Sequence, residues 1–165
     1  MIIMRIRWFL LLFLNLFRVN SFIPEIMSKT KNYILSQAVA EKKLRRMALE
    51  IVENNLEEQH IILAGIKESG TVVANCIQQI LSEMSSLQTE VIEISMDKKD
   101  PQEIALSKKI DFNGKVIIII DDVANSGRTL LFALKPFLDF QPKKIQALVL
   151  VGRSHNSFPV YIRPC

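Results

Sequence analysis

Residues 116–130 read VIIIIDDVANSGRTL. The first five are all β-branched, Val116 followed by four isoleucines. A run that is apolar at every position suits a strand covered on both faces, as in the middle of a parallel α/β sheet. Two carboxylates follow at once, Asp121 and Asp122, and then a short polar loop of Asn125, Ser126, Gly127, Arg128 and Thr129 that opens the next helical segment. In open α/β sheets ligands sit beyond the carboxyl ends of the strands, which puts the acids at the ligand edge. Gly127 lets backbone N–H groups approach an anion closely. Those groups, with the dipole of the following helix, form a phosphate cradle to which the Ser126 and Thr129 hydroxyls can add hydrogen bonds. The carboxylates can accept hydrogen bonds from vicinal hydroxyls. The segment therefore suits a sugar phosphate, with hydroxyls on the acids and phosphate in the loop. The plain alternative is an acidic pair that only ends a strand and caps a turn, and the spacing to Ser-Gly-x-Thr weighs against it. The other phosphate motifs, GxxxxGK[ST] and GxGxxG, are absent.

Outward from this stretch the chain alternates helices and strands. Ser36 is a candidate N-cap for a helix reaching about Asn54, with Leu44, Met47, Ala48, Ile51 and Val52 on one face. A strand at residues 61–64 ends in the loop 66–70, and a second amphipathic helix follows over residues 71–84. Residues 91–96 read as a strand. Residues 97–109, DKKDPQEIALSKK, read as a polar, mobile connection able to close over a reaction. Residues 128–138 read as a third helix disturbed at Pro136, and residues 145–151 as a last strand. The fold class expected is α/β, with a mostly parallel sheet of about four to five strands flanked by helices.

The first 26 residues differ from the rest. Arg5 and Arg7 precede an apolar run, residues 8–17, interrupted by Asn15. It is too short for a membrane span, which needs about 20 apolar residues, and no small-x-small cleavage site follows. The segment is expected to be an extension outside the domain of residues 27–165, with an anchor or a signal as the other readings. The net charge is +4. Arg5, Arg7 and Arg18 against Glu25 place half of it in that extension, so the basic balance alone does not argue for nucleic acid. The two cysteines, Cys76 and Cys165, have no metal-ligand spacing. A reduced, buried Cys76 thiol fits a cytoplasmic protein.

The stretch VIIIIDDVANSGRTL resembles the phosphoribosyl-pyrophosphate (PRPP) signature of type I phosphoribosyltransferases. The resemblance runs over about residues 33–163. It is closest to the bifunctional pyrimidine operon attenuator and uracil phosphoribosyltransferase proteins, which ILSQAVAEKKLRRMALEIVENN, IILAGIKESG and LVLVGRSHNSFPV also resemble. It implies that Asp121 and Asp122 hold the ribose hydroxyls at the catalytic centre, and that Asn125, Ser126, Gly127, Arg128 and Thr129 hold the 5-phosphate. It implies a pyrophosphate loop of Lys67, Glu68, Ser69 and Gly70. Magnesium would be carried mainly by PRPP, with no protein ligand assigned to it. The implied reaction joins a nucleobase nitrogen, that of uracil, to C1 of PRPP with loss of pyrophosphate, in a homo-oligomer. Arg153 and His155, beyond the last strand, are candidate base-side residues.

This sequence departs from the family pattern in three places. Ser69 stands where the pyrophosphate loop usually carries an arginine, Gly152 stands where an acid usually precedes the tail arginine, and the chain stops at Cys165 before the segment that helps form the base pocket. The domain is therefore expected to be truncated, and to bind PRPP with weak transfer. Two alternatives remain open. One is a PRPP- or nucleotide-sensing regulator with RNA as a candidate partner, through Lys42, Lys43, Arg45 and Arg46. The other is a phosphoribosyltransferase-like protein without activity.

Overall fold

In the computed structural model, residues 36–97 and 103–152 are described. The elements in chain order are α1 (Gln37–Asn54), β1 (His60–Ile66), α2 (Ser69–Met84), β2 (Gln88–Met96), β3 (Ile104–Leu106), β4 (Val116–Ala124), α3 (Arg128–Ala133), a 3-10 turn (Lys135–Phe137) and β5 (Lys144–Gly152). They form one five-stranded sheet in the order β3-β2-β1-β4-β5. β1 is parallel to β2 and to β4, β4 is parallel to β5, and only the β2–β3 pair is antiparallel.

The five apolar residues that open β4 are all buried, as a strand covered on both faces requires. Side-chain alternation divides them between two cores. Val116, Ile118 and Ile120 join Ile61 and Leu63 of β1 under α1 and α2, against Leu44, Met47, Ala48, Ile51, Val73, Ile77 and Leu81. Ile117 and Ile119 join Ile62, Ala64 and Ile66 on the opposite face, against Leu130, Ala133, Phe112 and Phe137. The register supports the division, because Ile62 pairs with Ile117 and Ala64 with Ile119. Phe112 closes this second core edge-on to Phe137 and Phe140, with ring centroids 5.0 and 5.1 Å away.

The α/β class, the helix capped by Ser36 and four of the strands are as expected, and Ser36 accepts the Val39 N–H at 3.4 Å. Three boundaries are corrected. The loop after β1 is shorter than 66–70, because Ile66 completes β1 and Ser69 and Gly70 already belong to the first turn of α2. The third helix stops at Ala133, and Pro136 sits in the 3-10 turn that follows. Residues 97–109 are not one open connection, since Ile104–Leu106 pair with Met96–Ile94 as the edge strand β3. The reason is a short alternation: Ile104 and Leu106 pack against the core while Ala105 faces out. Lys108 then ties this edge to Glu90 at 2.9 Å and holds the Glu90 carboxyl below its ordinary range. Residues 1–35, including the apolar extension, lie outside the described residues. Among the described residues no helix is long and apolar enough to cross a membrane. Cys76 is half-buried on α2, and burial pushes its thiol pKa up.

Candidate active site

Parallel β1 and β4 end on the same edge of the sheet. Gly65 pairs with Ile120, so the chain leaves β1 at Ile66 beside the point where β4 reaches Asp121. Residues 67–70, which carry the chain from β1 into the first turn of α2, therefore leave this end of the sheet beside Asp121, while β4 runs on to Ala124 before residues 125–129 turn into α3. The contact is close at Gly70. A Cβ placed there would lie 2.5 Å from the Ile120 carbonyl oxygen and 3.3 Å from the Asp121 Cα, so only glycine lets α2 begin against this strand.

Asp121 is 2% exposed, a carboxylate in a place that costs free energy unless it is hydrogen-bonded. It accepts the Asp122 N–H at 3.0 Å. Asp122 is half-buried and on the opposite side of the strand by alternation. Beyond them Gly127 adopts φ 80°, the left-handed conformation that turns the chain into α3. The Arg128 N–H points to Ser126 Oγ at 3.4 Å, and the Leu131 N–H bonds the Gly127 carbonyl at 3.0 Å. Asn125 and Arg128 are exposed, with Ser126 and Thr129 partly so.

Two features bear on what this loop could hold. α3 has only six residues, so an anion at this turn would meet the N–H groups and hydroxyls of the loop more than a long helix dipole. The Arg128 guanidinium lies 5.6 Å over the Phe132 ring, one turn along, so Arg128 brings its backbone to the loop while its charge stacks on the aromatic face.

In the other connection Lys67, Glu68 and Ser69 are exposed and Gly70 is buried. The Lys67 N–H continues the sheet by bonding the Ile94 carbonyl at 2.8 Å. Glu68 takes φ 72°, a conformation that costs a non-glycine residue about 1–3 kcal/mol and persists only where neighbours enforce it. Of the base-side candidates, Arg153 and His155 lie outside the described residues; Gly152, just before them, pairs with Ala124 on the same edge. On the basic face of α1, Lys43 donates to the Leu150 carbonyl at 3.4 Å and Arg46 pairs with Glu50 at 3.2 Å. Half of the basic cluster thus has a partner within the fold.

The sequence reading missed Thr71, Glu93, Ser95 and Ser107. The Thr71 and Ser95 hydroxyls meet the Glu93 carboxylate beside the 67–70 connection at 3.3 and 3.1 Å, and the Ser107 hydroxyl accepts the Glu93 backbone N–H at 2.9 Å. Ordinary polar residues at three distant places give no local signal of such a meeting.

The chain matches known proteins over nearly all of this fold. Residues 32–164 match the phosphoribosyl transferase domain. The bifunctional protein PyrR of Lactococcus lactis subsp. cremoris is 32% identical, over 77% of this chain and 76% of that protein. The protein of the same name from Oceanobacillus iheyensis is 32% identical over 80% of each. Among solved structures, a hypoxanthine-guanine phosphoribosyltransferase from Bacillus anthracis superposes with TM-score 0.67 at 20% identity, covering 83% of this chain and 81% of that one. The hypoxanthine phosphoribosyltransferase of Trypanosoma cruzi does so with TM-score 0.63 at 11% identity, covering 76% and 73%. At those identities the structures speak for the fold alone. Together with a central strand that carries two acids near its end and a glycine-turned loop after it, the match places this chain in the phosphoribosyltransferase family.

Proposed function

We propose that this chain binds PRPP across its two neighbouring loops and transfers the ribose 5-phosphate to uracil, releasing pyrophosphate. The observation that carries the reading is the approach of Gly70 to Ile120 and Asp121, which puts an exposed lysine-bearing connection beside the acidic pair. Residues 125–129 would take the 5-phosphate on backbone N–H groups and hydroxyls, and Asp121 and Asp122 the ribose hydroxyls. Residues 67–70 would face the pyrophosphate. Such a site works by holding the two reactants in line and by stabilising charge on the leaving group, with no covalent nucleophile. Uracil is favoured over a purine by the relatives' names: alongside the bifunctional PyrR proteins, a Lactococcus lactis relative at 32% identity is called a pyrimidine operon regulatory protein.

Magnesium suits this site as a passenger of the substrate. Among the described residues no group of three or more His, Cys, Asp or Glu side chains could hold a metal alone. The ion's ligands would come from the substrate's phosphate oxygens and from water, with few or none from the protein. Bound there, it would offset charge on the departing pyrophosphate.

The test is pyrophosphate release with PRPP, Mg²⁺ and each common nucleobase. Slow turnover with uracil is expected. Use of hypoxanthine or guanine but not uracil would remove the pyrimidine assignment, and absence of PRPP binding by calorimetry would remove the whole reading. The slowness is assigned to residues 67–70. Ser69→Arg, at an exposed first-turn position, is expected to raise kcat/KM about tenfold, because a charge-assisted contact contributes roughly 1.5–3 kcal/mol. An unchanged rate would mean that the missing positive charge does not limit the reaction.

A regulatory role is the second reading, favoured by those same names. RNA would be the partner and the α1 basic face the surface, although Lys43 and Arg46 are engaged within the chain. A gel shift that weakens steeply with salt would support it. We also propose that the domain begins near Met27. A chain starting there is expected to melt within a few degrees of the full chain and to keep its PRPP affinity; aggregation would show that the first 26 residues pack on the body.

A further inference from the structure

One acidic residue of β2 lies beside the point where the 67–70 connection leaves the sheet. Glu93 pairs with Gly65 across the β1–β2 register, just before that connection leaves the sheet. Its carboxylate accepts Ser95 Oγ–H on Oε1 at 3.1 Å and Thr71 Oγ1–H on Oε2 at 3.3 Å. Its backbone is held as well: the Glu93 N–H donates to Ser107 Oγ, and the Ser107 N–H donates to the Glu93 carbonyl, both at 2.9 Å. Thr71 is the residue directly after the connection, in the first turn of α2, and its hydroxyl also lies 3.4 Å from the Gly65 carbonyl. One hydroxyl proton serves one acceptor best, and the charged carboxylate is the stronger.

We propose that Glu93 is a positioning residue for the pyrophosphate side of the site: through Thr71 it pins the start of α2, so that residues 67–70 keep the conformation with Glu68 at positive φ. The proposal rests on the reading of residues 67–70 as the pyrophosphate loop. A strained loop needs anchors on both sides. The Lys67 N–H bond to Ile94 is the anchor before Glu68. After it come the Val72 N–H bond to the Glu68 carbonyl at 3.3 Å, the seat of Gly70 on β4, and Thr71 on Glu93. Glu93 acts at one remove from the ligand, because a carboxylate touching pyrophosphate would repel it.

That sign makes the proposal testable. Removing a negative charge near a pyrophosphate loop should tighten pyrophosphate binding if charge alone matters, and loosen it if position matters. Calorimetry on the full chain would use two probes separately, magnesium pyrophosphate and ribose 5-phosphate. Glu93→Ala and Thr71→Val are each expected to weaken magnesium pyrophosphate about tenfold or more, the scale of one lost hydrogen bond to a charged group, with ribose 5-phosphate unchanged. Glu93→Gln keeps one oxygen for Thr71 but loses the charge, and should fall between wild type and Glu93→Ala. Should Glu93→Ala unfold, Thr71→Val, which swaps a hydroxyl for a methyl, carries the test. Unchanged or tighter pyrophosphate in Thr71→Val, or equal loss of both probes, overturns the proposal. A wild type that binds ribose 5-phosphate but not magnesium pyrophosphate overturns the assignment of the loop itself, a failure distinct from that of Glu93.

Discussion

A chain carrying Asp121→Asn and Asp122→Asn together is expected to bind PRPP at least about a hundredfold more weakly, with its fold intact. On the proposed reading each carboxylate accepts a hydrogen bond from a ribose hydroxyl, and a bond to a charged group contributes roughly 1.5–3 kcal/mol. Two such losses amount to about 3–6 kcal/mol, and each 1.4 kcal/mol is tenfold in affinity. The fold should survive because the isosteric amide keeps an oxygen for the Asp122 N–H, now 3.0 Å from Asp121 Oδ1. Removing the charge of Asp121, which is 2% exposed, also relieves a desolvation cost. Calorimetry gives the affinity and a thermal melt the stability. Equal PRPP affinity in the two proteins would take the acids out of the site, and a melting temperature lowered by ten degrees or more would assign them a structural role instead.

The central strand and the helices around it could be read from the chain because they are local in sequence. Five β-branched residues in a row admit few states other than a strand buried on both faces, and Val116, Ile117, Ile118, Ile119 and Ile120 occupy that place. The α1 stripe works the same way: Leu44, Met47, Ala48 and Ile51 recur at helical spacing and all four are buried. β3 was hidden because three residues carry too little periodicity to stand out from a polar stretch, and Met96, Ser95 and Ile94 of β2 decide its place. The acidic pair and the glycine turn were legible as a contiguous motif. Neither the Glu68 conformation nor the Thr71–Glu93–Ser95 contacts were, since they arise from the packing of α2 against β1 and β4 and leave no pattern in neighbouring residues. The basic face of α1 reads differently in sequence and in structure. Four cations in five positions suggest a nucleic-acid surface, yet Lys43 reaches the β5 backbone and Arg46 a glutamate one turn on.

Gly70→Ala separates local propensity from tertiary contact with opposite signs. Alanine in a helix is ordinarily the better residue, by about 0.5–1 kcal/mol over glycine, so by propensity alone the variant should be more stable. The new Cβ, however, would stand 2.5 Å from the Ile120 carbonyl oxygen, 3.3 Å from the Asp121 Cα and 3.3 Å from the Ile66 Cβ. The nearest of these atoms is the backbone of a central strand, flanked by β1 on one side and β5 on the other, which cannot turn away as a side chain can. α2 must therefore lift by something approaching 1 Å, and overpacking of this kind costs about 1–3 kcal/mol, enough to outweigh the propensity gain. The same shift carries residues 67–70 away from the acidic pair. Misplacement by about 1 Å can reduce a reaction that depends on positioning about a hundredfold, so kcat/KM should fall far more than stability does. Gly114→Ala provides the control. Gly114 also has positive φ, at +67°, but nothing lies within 4 Å of its Cβ position and it sits in the turn before β4, at the other end of the strand. That variant should lose about 1 kcal/mol of stability and none of its PRPP affinity. Denaturant titration and single-turnover pyrophosphate release on both variants give the comparison. A Gly70→Ala chain as stable and as active as wild type would mean that the two loops do not depend on the close approach of α2 to β4, and would leave the acidic pair and the 67–70 connection as neighbours without a common function.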